Sequence, residues 1–306
     1  MQKFKALLKP GGWVSMGLWL LLITGCASMP KQFPIEGIER DFAVDSIVAA
    51  ASRDTIDFED LVAELAGVHL IFIGEIHSSR RHHEIQEELI RALHRRRPLL
   101  KVGLEMFDRS YQAVLDLWGQ GALDEQAFIK RTHWYSNWRF DFNLYRGIMM
   151  LLKEERMPLV GLDLPTYIHS RIRAGGIENL SAADRKWLPR EVPPGDDEHR
   201  LFLKKTFEQH KFLARNTDFD DFYAAQCARD ATMARTIADH LGAGSMVILA
   251  GNGHIRKGSG VPQRAAAYSG EAFRTVYLAP VDGQVPLDIA DYIWITPGVA
   301  AHPGRR

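Results

Sequence analysis

Cysteine and net charge are both scarce in this chain. Its 306 residues contain only two cysteines, Cys26 and Cys227, so a disulfide framework and a zinc ribbon are excluded. Lysine plus arginine and aspartate plus glutamate number 38 each, so the formal net charge is zero. Because no basic excess is present to attract nucleic acid, we expect no nucleic-acid partner. Cys227 lies in a helical pattern and is expected to be a buried free thiol.

Nucleotide-binding fingerprints are also lacking. The glycine-containing segment Gly251 to His254 has neither the spacing of a dinucleotide-binding motif nor the lysine of a phosphate loop. Apolar residues make up 46% of the chain and charged residues 25%, which is ordinary for a globular protein. The composition therefore predicts a folded globular domain and excludes nucleotide binding through these motifs.

The first residues have the pattern of a bacterial lipoprotein signal. Three lysines precede an apolar stretch, residues 13–23, that is too short for a comfortable membrane span. The sequence Ile-Thr-Gly-Cys that follows ends at Cys26 and matches the lipobox, in which small residues precede the cysteine that becomes lipidated. Residues 1–25 are therefore predicted to be a signal peptide, and Cys26 the site of lipidation.

The residues after Cys26 predict where the mature chain is held. Ala27, rather than aspartate, follows the cysteine, which favours export to the outer membrane in bacteria with two membranes. A triacylated cysteine is sufficient for stable membrane anchoring. Residues 26–40 are polar and contain two prolines, so they are predicted to be a lipidated tether.

The rest of the chain alternates short apolar runs with helical patterns. Alternation of this kind predicts an α/β fold in which helices flank a mostly parallel central sheet. A helical pattern is also predicted from residue 47 to 65. The predicted strands are Leu70–Ile73, Leu99–Met106, Leu159–Leu164, Met246–Ala250, Phe273–Leu278 and Tyr292–Thr296.

The predicted domain spans residues 41–297. Within it, residues 166–241 are helical, polar and long for a single crossover, so we expect them to form a helical insertion, or lid, over the strand ends. Residues 298–306 are expected to be a frayed tail.

Four of the predicted strands end in ionisable residues. Glu75 and His77 follow the first, Glu105 ends the second, Asp163 the third, and His254 follows the fourth. Parallel strands bring their carboxyl ends side by side, so these groups are expected to share one cleft. Two imidazoles and several carboxylates suit Zn²⁺, Mn²⁺ or Fe²⁺, or a histidine general base oriented by a carboxylate. The alternative is that each residue only caps the helix after it.

Two further groups of residues are candidates for the same region. His82 and His83 lie one to two helical turns after His77 and could face the cleft, although one of them is expected at the surface. Residues 134–145 are rich in aromatic side chains. They are expected to form core, with an apolar platform for a flat ligand as the alternative.

Several motifs together resemble one family. The Gly-Glu-Ile-His segment with His83, the Gly-Leu-Glu-Met-Phe-Asp-Arg segment with Gln112, residues 223–234, and Leu-Ala-Gly-Asn-Gly-His followed by Gly260 are similar to the ChaN family. That family belongs to the haem-binding-uptake/Tiki superfamily, whose members also resemble erythromycin esterases. The resemblance covers roughly residues 45–297.

The resemblance implies an iron-related surface lipoprotein that binds haem between two protomers. It implies that Glu75, His77, Glu105 and His254 form the polar site that the superfamily shares. Haem binding through a homodimer, with an outer-membrane haem receptor as a further partner, is the first hypothesis. Tyr145, Tyr167 and Tyr223 are the candidate haem ligands, and Tyr145 is the first choice because aromatic residues surround it. A Cys-x-x-Cys-His motif is absent, which excludes covalent c-type attachment.

The second hypothesis is an enzyme. In it the same four residues act in a metal-dependent or histidine/glutamate hydrolase, with His77, Glu105, His254 and Asp163 as the metal ligands. Asp163 is included only because it ends a strand. The resemblance itself assigns no role to Asp163, and haem binding is preferred to catalysis.

Overall fold

A computed structural model describes residues 33–209, 217–281 and 283–299. The predicted signal peptide, Cys26 and residues 300–306 of the predicted tail lie outside these ranges. The strands are β1 (Phe33–Glu36), β2 (Asp41–Phe42), β3 (Ile47–Ala49), β4 (Asp54–Ile56), β5 (Leu70–Glu75), β6 (Leu100–Asp108), β7 (Leu159–Asp163), β8 (Ser245–Gly251), β9 (Phe273–Pro280), β10 (Val285–Pro286) and β11 (Tyr292–Thr296).

Helices fill most of the connections between these strands. They are α1 (Phe58–Leu65), α2 (Arg80–Arg96), α3 (Gln112–Gly119), α4 (Glu125–Arg131), α5 (Trp134–Asn137), α6 (Phe142–Glu154), α7 (Thr166–Gly175), α8 (Ala182–Arg185), α9 (Asp197–Gln209), α10 (Phe219–Leu241) and α11 (Val261–Ser269). Short 3₁₀ turns lie at Arg109–Tyr111, Ile177–Asn179 and Leu287–Ile289. Within the described ranges, no helix is long and apolar enough to cross a membrane.

The predicted α/β fold with a mostly parallel sheet is confirmed. Eight strands follow the order β4-β3-β11-β9-β5-β8-β6-β7, and those from β11 to β7 are mutually parallel. β3 pairs antiparallel with β11, and β4 pairs antiparallel with β3. Helices α7 to α10 lie in the segment predicted to be a helical insertion.

The central strands are buried on both faces, which is why their sequences are continuous apolar runs. Successive side chains of β5 point to opposite faces. Ile71 and Ile73 belong to a core shared with helices α1 to α6, whereas Leu70 and Phe72 belong to a second core formed with α10 and α11. The sheet is therefore fixed between two layers of helices, with its carboxyl ends open for a site.

Two predictions about the amino-terminal region are wrong. The part of the predicted tether from residue 33 onward is instead folded, because Phe33 and Ile35 are buried in a three-stranded sheet of β10, β1 and β2. The predicted helical pattern from residue 47 begins instead with β3 and β4, and only α1 is helical. Ile47 and Val48 are β-branched, and the backbone of β3 finds its partner in β11, which lies far along the chain.

Candidate functional site

The carboxyl ends of four neighbouring strands converge on one polar cleft. Glu75 ends β5, Glu105 lies near the end of β6, Asp163 ends β7, and His254 follows β8. His77 lies two residues beyond β5. The structure brings all five side chains together, as expected for parallel strands, and what they do there stays a prediction.

Glu75 is the most enclosed member of the cleft. It accepts hydrogen bonds from the Tyr145 hydroxyl at 2.6 Å, from Gln86 Nε2 at 2.9 Å and from His77 Nδ1 at 2.8 Å. His83 Nε2 lies 3.5 Å from the same carboxylate. Burial alone would raise the pKa of Glu75, but the hydrogen bond from His77 and the nearby His83 hold it well below its usual range. Glu75 is therefore a fixed carboxylate.

His77 has one ring nitrogen held and the other free. Nδ1 donates to Glu75, whereas Nε2 has no hydrogen-bond partner among the described residues and carries the lone pair when the ring is neutral. The ring packs against Trp138, with centroids 4.6 Å apart, and its side chain is 29% exposed. Gly251 allows this position, since a Cβ there would lie 3.0 Å from His77 Cε1. Burial lowers the pKa of His77, but Glu75 and Glu105 raise it overall.

Glu105 lies between the two imidazoles of the cleft. Its Oε2 accepts the backbone N–H of Gly251 at 2.6 Å, and its Oε1 accepts Arg229 Nη2 at 2.7 Å. His254 Nε2 lies 3.4 Å from Oε1. Burial would raise the pKa of Glu105, but His254, Arg229 and His77 lower it to about 2. This carboxylate is therefore ionised throughout the physiological range.

Arg229 of α10 is the cation of the cleft, a role that no motif in the sequence predicted. Its Nε donates to Asp163 Oδ2 at 2.8 Å and its Nη2 to Glu105, while Nη1 lies 3.2 Å from His254 Nε2. Although burial lowers the pKa of Arg229, the two carboxylates raise it above its usual value. Arg229 therefore compensates the negative charges of two carboxylates that lie on different strands, β6 and β7.

Asp230, the next residue of α10, holds two histidines and was likewise missed. His254 Nδ1 donates to its Oδ1 at 2.6 Å, and His199 Nε2 of α9 lies 3.3 Å from its Oδ2. The only available signal was an Arg-Asp pair in a helix otherwise rich in alanine. Although burial lowers the pKa of His199, the hydrogen bond to Asp230 raises it to about 9.

The metal-site prediction is not supported by this arrangement. Within the described ranges, no group of three or more histidine, cysteine, aspartate or glutamate residues is placed to hold a metal ion. The predicted ligands His77, Glu105, His254 and Asp163 are close together, but the Arg229 guanidinium lies among them and pairs with both carboxylates. Because this internal cation already neutralises the two carboxylates, the cluster does not fit a metal ion.

The three candidate tyrosines lie in different environments. Tyr145 is 1% exposed, and its hydroxyl donates to Glu75, with burial raising its pKa well above the usual value. Tyr223 is 8% exposed, and its hydroxyl donates to the Gly195 carbonyl at 3.2 Å. Tyr167, on the first turn of α7, is 47% exposed. Its hydroxyl makes no hydrogen bond within the described part of the chain.

Part of the aromatic block is core, as expected, whereas Tyr135 is exposed and Trp138 and Phe140 are half-buried. The Trp134 ring packs against Phe142 and Tyr145, with ring centroids 5.1 and 5.3 Å apart respectively. All three side chains are buried. The choice of Tyr145 as first haem ligand assumed an aromatic surface. Since its hydroxyl is instead buried against Glu75, that premise is wrong, although none of the three assignments has been tested.

Both histidines at the start of α2 are buried, so the expectation that one lies at the surface is wrong. His82 Nδ1 accepts the backbone N–H of Ile76 at 2.9 Å, and Nε2 lies 2.9 Å from Thr296 Oγ1. Burial lowers the pKa of His82 to about 4. His83 packs on Tyr145 at a centroid distance of 4.0 Å. His82 therefore fixes the turn after β5, whereas His83 supports the cleft. Cys227 is a buried free thiol, as predicted.

Two cavities adjoin the cleft. One of about 400 Å³ lies beneath α9 and is lined by His77, His254, Asp230 and apolar side chains that include Phe202 and Phe222. The other, of about 160 Å³, is lined by Glu105, Asp163, Arg229, Trp138 and His169. The polar cluster thus separates a larger, partly apolar cavity from a small polar one.

Replacing His199 by glutamine is expected to lower the free energy of unfolding by on the order of 2 kcal/mol at pH 6.5 and far less at pH 10. The pKa of His199 is about 9 when folded, above an unfolded value of about 6.5. The stability contributed by its charge is therefore present below the unfolded pKa and is lost as the pH rises through 9. Urea denaturation at the two pH values measures both differences.

His69→Gln is the matched control, because His69 pairs with Glu271 at 2.9 Å but is 41% exposed. We expect it to change stability by less than about 1 kcal/mol. A His199→Gln effect of equal size at both pH values would contradict a contribution from the charge.

Comparison with known proteins gives a family match and a likeness in fold. The family model described as "Haem-binding uptake, Tiki superfamily, ChaN" matches residues 61–265. A solved structure described as cofacial heme binding to ChaN of Campylobacter jejuni has a TM-score of 0.67 at 20% identity, covering 81% of this chain and 95% of that one. No curated protein matches the chain.

More distant likenesses carry no argument about function. A mutant of the erythromycin esterase EreC in its open conformation has a TM-score of 0.45 at 15% identity, covering 77% of each chain. A type III effector has a TM-score of 0.45 at 13% identity, covering 78% of this chain and 92% of that one.

Proposed function

Because the chain belongs to the haem-binding uptake family of the Tiki superfamily described as ChaN, we propose that it binds haem and that Tyr167 is the iron ligand. Of the three candidate tyrosines, Tyr167 alone is half-exposed and has a hydroxyl without a hydrogen bond among the described residues. Iron coordination by Tyr145 or Tyr223 would first require breaking the hydrogen bond that each makes inside the protein. This accessible phenol is the observation that carries the assignment.

The surroundings of Tyr167 fit a haem face. Its neighbour Thr166 lines the 160 Å³ cavity together with Trp138, and a second exposed aromatic, Tyr135 of α5, lies three residues before Trp138. His169 lines the same cavity, and its Nε2 is buried without a hydrogen-bond partner among the described residues. Burial lowers the pKa of His169 to about 3, so it stays neutral. An orphaned ring nitrogen within this cavity, and an exposed phenol next in sequence to Thr166 of its wall, support a ligand that covers the cavity mouth.

A cation for a haem propionate is also at hand. Arg171 lies one helical turn after Tyr167, with its guanidinium 5.3 Å from the Tyr167 ring centroid. Its side chain is 59% exposed and pairs with Asp184 through Nη1. The other guanidinium nitrogens of Arg171 can donate hydrogen bonds to a propionate carboxylate.

Haem bound at this place would need a second protein surface. The 160 Å³ cavity is far smaller than typical ligand cavities of about 300–1,000 Å³, so the macrocycle would lie across its mouth with one face in water. A second protomer closing over that face would remove apolar area from water at roughly 25 cal/mol per Å². Two-fold symmetry presents the same patch twice, so we propose a homodimer with two haems facing each other. The cofacial heme binding described for the Campylobacter jejuni protein is consistent with this arrangement.

We further propose that the protein is anchored in the outer membrane through lipid on Cys26 and passes haem to or from an outer-membrane receptor. The lipobox and the alanine after it support the anchor and its location. A tether of a few residues between Cys26 and β1 would keep the domain close to the membrane.

Replacing Cys26 by serine is expected to abolish lipid labelling and to leave unprocessed precursor, because the diacylglyceryl group is attached through the cysteine sulfur and the signal peptidase cleaves before that lipidated cysteine. Metabolic labelling with a fatty acid and gel mobility measure both effects. Cys227→Ser, at a buried thiol, should label and be processed as the natural protein is. Unchanged labelling and cleavage in Cys26→Ser would contradict the anchor.

Titration of the full-length protein with haemin, together with light scattering, tests the proposed function. We expect a Soret shift that saturates at one haem per chain and a mass that doubles as haem binds. Absence of any Soret shift would overturn haem binding, and saturation without a change in mass would overturn the shared dimer.

A further inference from the structure

The amino ends of the parallel strands carry a surface that the proposed haem site does not use. A groove of about 490 Å³ is lined there by Arg96, Arg97 and Leu99, from the end of α2 toward β6, and by Gly244 and Ser245 at the start of β8. The haem site and the polar cleft lie at the carboxyl ends of the same strands, so this surface is on the opposite side of the sheet. Of the large apolar side chains in the described ranges, Leu99 is the most exposed, at 77%.

The surroundings of Leu99 are cationic. Residues 89–104 include no aspartate or glutamate, and their cations are Arg91, Arg95, Arg96, Arg97 and Lys101. Arg95 is exposed and makes no hydrogen bond or ion pair within the described part of the chain. Arg96 pairs with Glu59 at 2.8 Å, but the two side chains are 38% and 75% exposed, so water and salt screen the pair. Leu99 therefore lies beside positive charge that the fold leaves largely unopposed.

Two of these cations have a structural use, and two do not. Arg97 donates to the carbonyl of Ala66, directly after α1, and Lys101 Nζ donates to the His240 carbonyl of α10 at 2.5 Å. Both satisfy carbonyls at the carboxyl ends of helices, where positive charge is favoured. Arg95 and Arg96 make no hydrogen bond to a backbone carbonyl among the described residues. The helix ends therefore do not account for these two arginines.

The folded chain also begins near this side of the sheet. Glu36, the last residue of β1, lines a cavity together with Arg274 and Tyr292, which lie at the amino ends of β9 and β11. Phe33 begins β1 roughly 10 Å before Glu36. The chain from Cys26 to Phe33 can span up to about 25 Å. A lipid on Cys26 therefore allows the amino ends of the strands to touch the membrane.

We propose that the surface formed by Arg95, Arg96, Pro98 and Leu99, here called the basic tip, docks on a phospholipid bilayer that contains anionic headgroups. Leu99 enters the boundary between the headgroups and the acyl chains, and the two arginines pair with lipid phosphates. Two arginines and one leucine are too few for stable binding alone. Docking therefore rests on the proposed lipid anchor, which keeps the lipid surface at high effective concentration near the tip. In the docked state the haem site faces away from the membrane, on the side open to a receptor.

Fluorescence from a nitrobenzoxadiazole label on Leu99→Cys tests the docking, in the lipoprotein purified from membranes and reconstituted in vesicles. A Cys227→Ser background removes the natural buried thiol. In phosphatidylcholine vesicles with about 30% phosphatidylglycerol, an anionic lipid, we expect the emission to shift to the blue as the label leaves water. The shift should be absent in phosphatidylcholine alone and lost in about 0.5 M sodium chloride, which shortens the Debye length to roughly 4 Å. Leu201→Cys is the matched control, at a leucine of α9 that is 53% exposed, and its label should not shift.

Charge reversal gives a second readout. Arg95→Glu combined with Arg96→Glu should abolish the shift of the label at position 99. The matched control combines Arg80→Glu with Arg146→Glu, which makes the same change of charge elsewhere. Arg80 is exposed and has no ion pair among the described residues, and Arg146 pairs with Glu125 at 2.7 Å at the surface. This control should leave the shift unchanged.

Flotation of the protein with the vesicles separates the docking from the anchor. Flotation with both kinds of vesicle but no shift at position 99 would overturn the docking and leave the anchor intact. Failure to float with either kind would overturn both. An equal shift in the two kinds of vesicle, or one that survives the reversal of Arg95 and Arg96, would overturn the role of the arginines. A shift in detergent without phospholipid that grows with protein concentration would show a second copy of the chain at this surface and overturn the proposal.

Discussion

Replacing Arg229 by methionine is expected to lower the free energy of unfolding by about 3–5 kcal/mol at pH 7, the cost typical of leaving buried charges uncompensated. The guanidinium donates to Glu105 and Asp163, and methionine keeps much of the length of the side chain without the charge. The expected loss is therefore electrostatic rather than a loss of packing. Urea denaturation followed by circular dichroism measures it.

The pH dependence of the Arg229→Met effect separates charge from packing. Arg229 helps to lower the pKa of Glu105 to about 2, so its removal raises that pKa. Protonation of the carboxyl then relieves the uncompensated charge, and the difference from the natural protein should shrink below pH 5. Arg91→Met, at a half-exposed pair with Glu87 on one face of α2, should cost less than about 1 kcal/mol. A small or pH-independent loss in Arg229→Met would contradict the role given to this cation.

Replacing Tyr167 by phenylalanine is expected to remove the iron ligand while keeping the aromatic surface. We expect the absorption band of iron-bound phenolate to disappear and the affinity for haemin to fall at least about tenfold, a loss of about 1.4 kcal/mol or more. The side chain is half-exposed and its hydroxyl has no hydrogen bond among the described residues, so stability should not change. Spectral titration and the rate of haem transfer to an acceptor protein measure the effect.

Tyr135→Phe is the matched control for Tyr167→Phe. Tyr135 is 56% exposed and lies on α5, close in sequence to Trp138 at the same cavity. It should bind haemin with an unchanged spectrum. If Tyr145→Phe instead removes the phenolate band and Tyr167→Phe does not, haem binding must break the hydrogen bond between Tyr145 and Glu75. Our assignment of the ligand would then be wrong.

The strand ends of the site could be predicted because a strand buried on both faces is visible as an apolar run. Leu70–Ile73 and Met246–Ala250 lie within β5 and β8, and the topology rule for parallel sheets then brings Glu75 and His254 together. Short strands gave no such signal. β3 has only three residues, and its pairing with β11 depends on residues more than 240 positions away, roughly the whole length of the domain.

The helical half of the site could not be predicted in the same way. Arg229, Asp230 and His199 are polar residues on helices, where a polar residue usually lies on the solvated face. Their burial results from α9 and α10 crossing the strand ends, which no local pattern encodes. Tyr145 shows a related error, since the choice of it as haem ligand assumed the aromatic platform that was the alternative to core, whereas α6 turns its hydroxyl inward to Glu75.

The crystal structure of the haemin complex would test the central claim most directly, through the identity of the atom bonded to iron. We expect iron bonded to the Tyr167 hydroxyl oxygen at the mouth of the 160 Å³ cavity, a second protomer against the other haem face, and an unchanged Glu75–His77 pair. Iron bonded to His77 or His254 within the larger cavity, or to a residue remote from α7, would contradict the account.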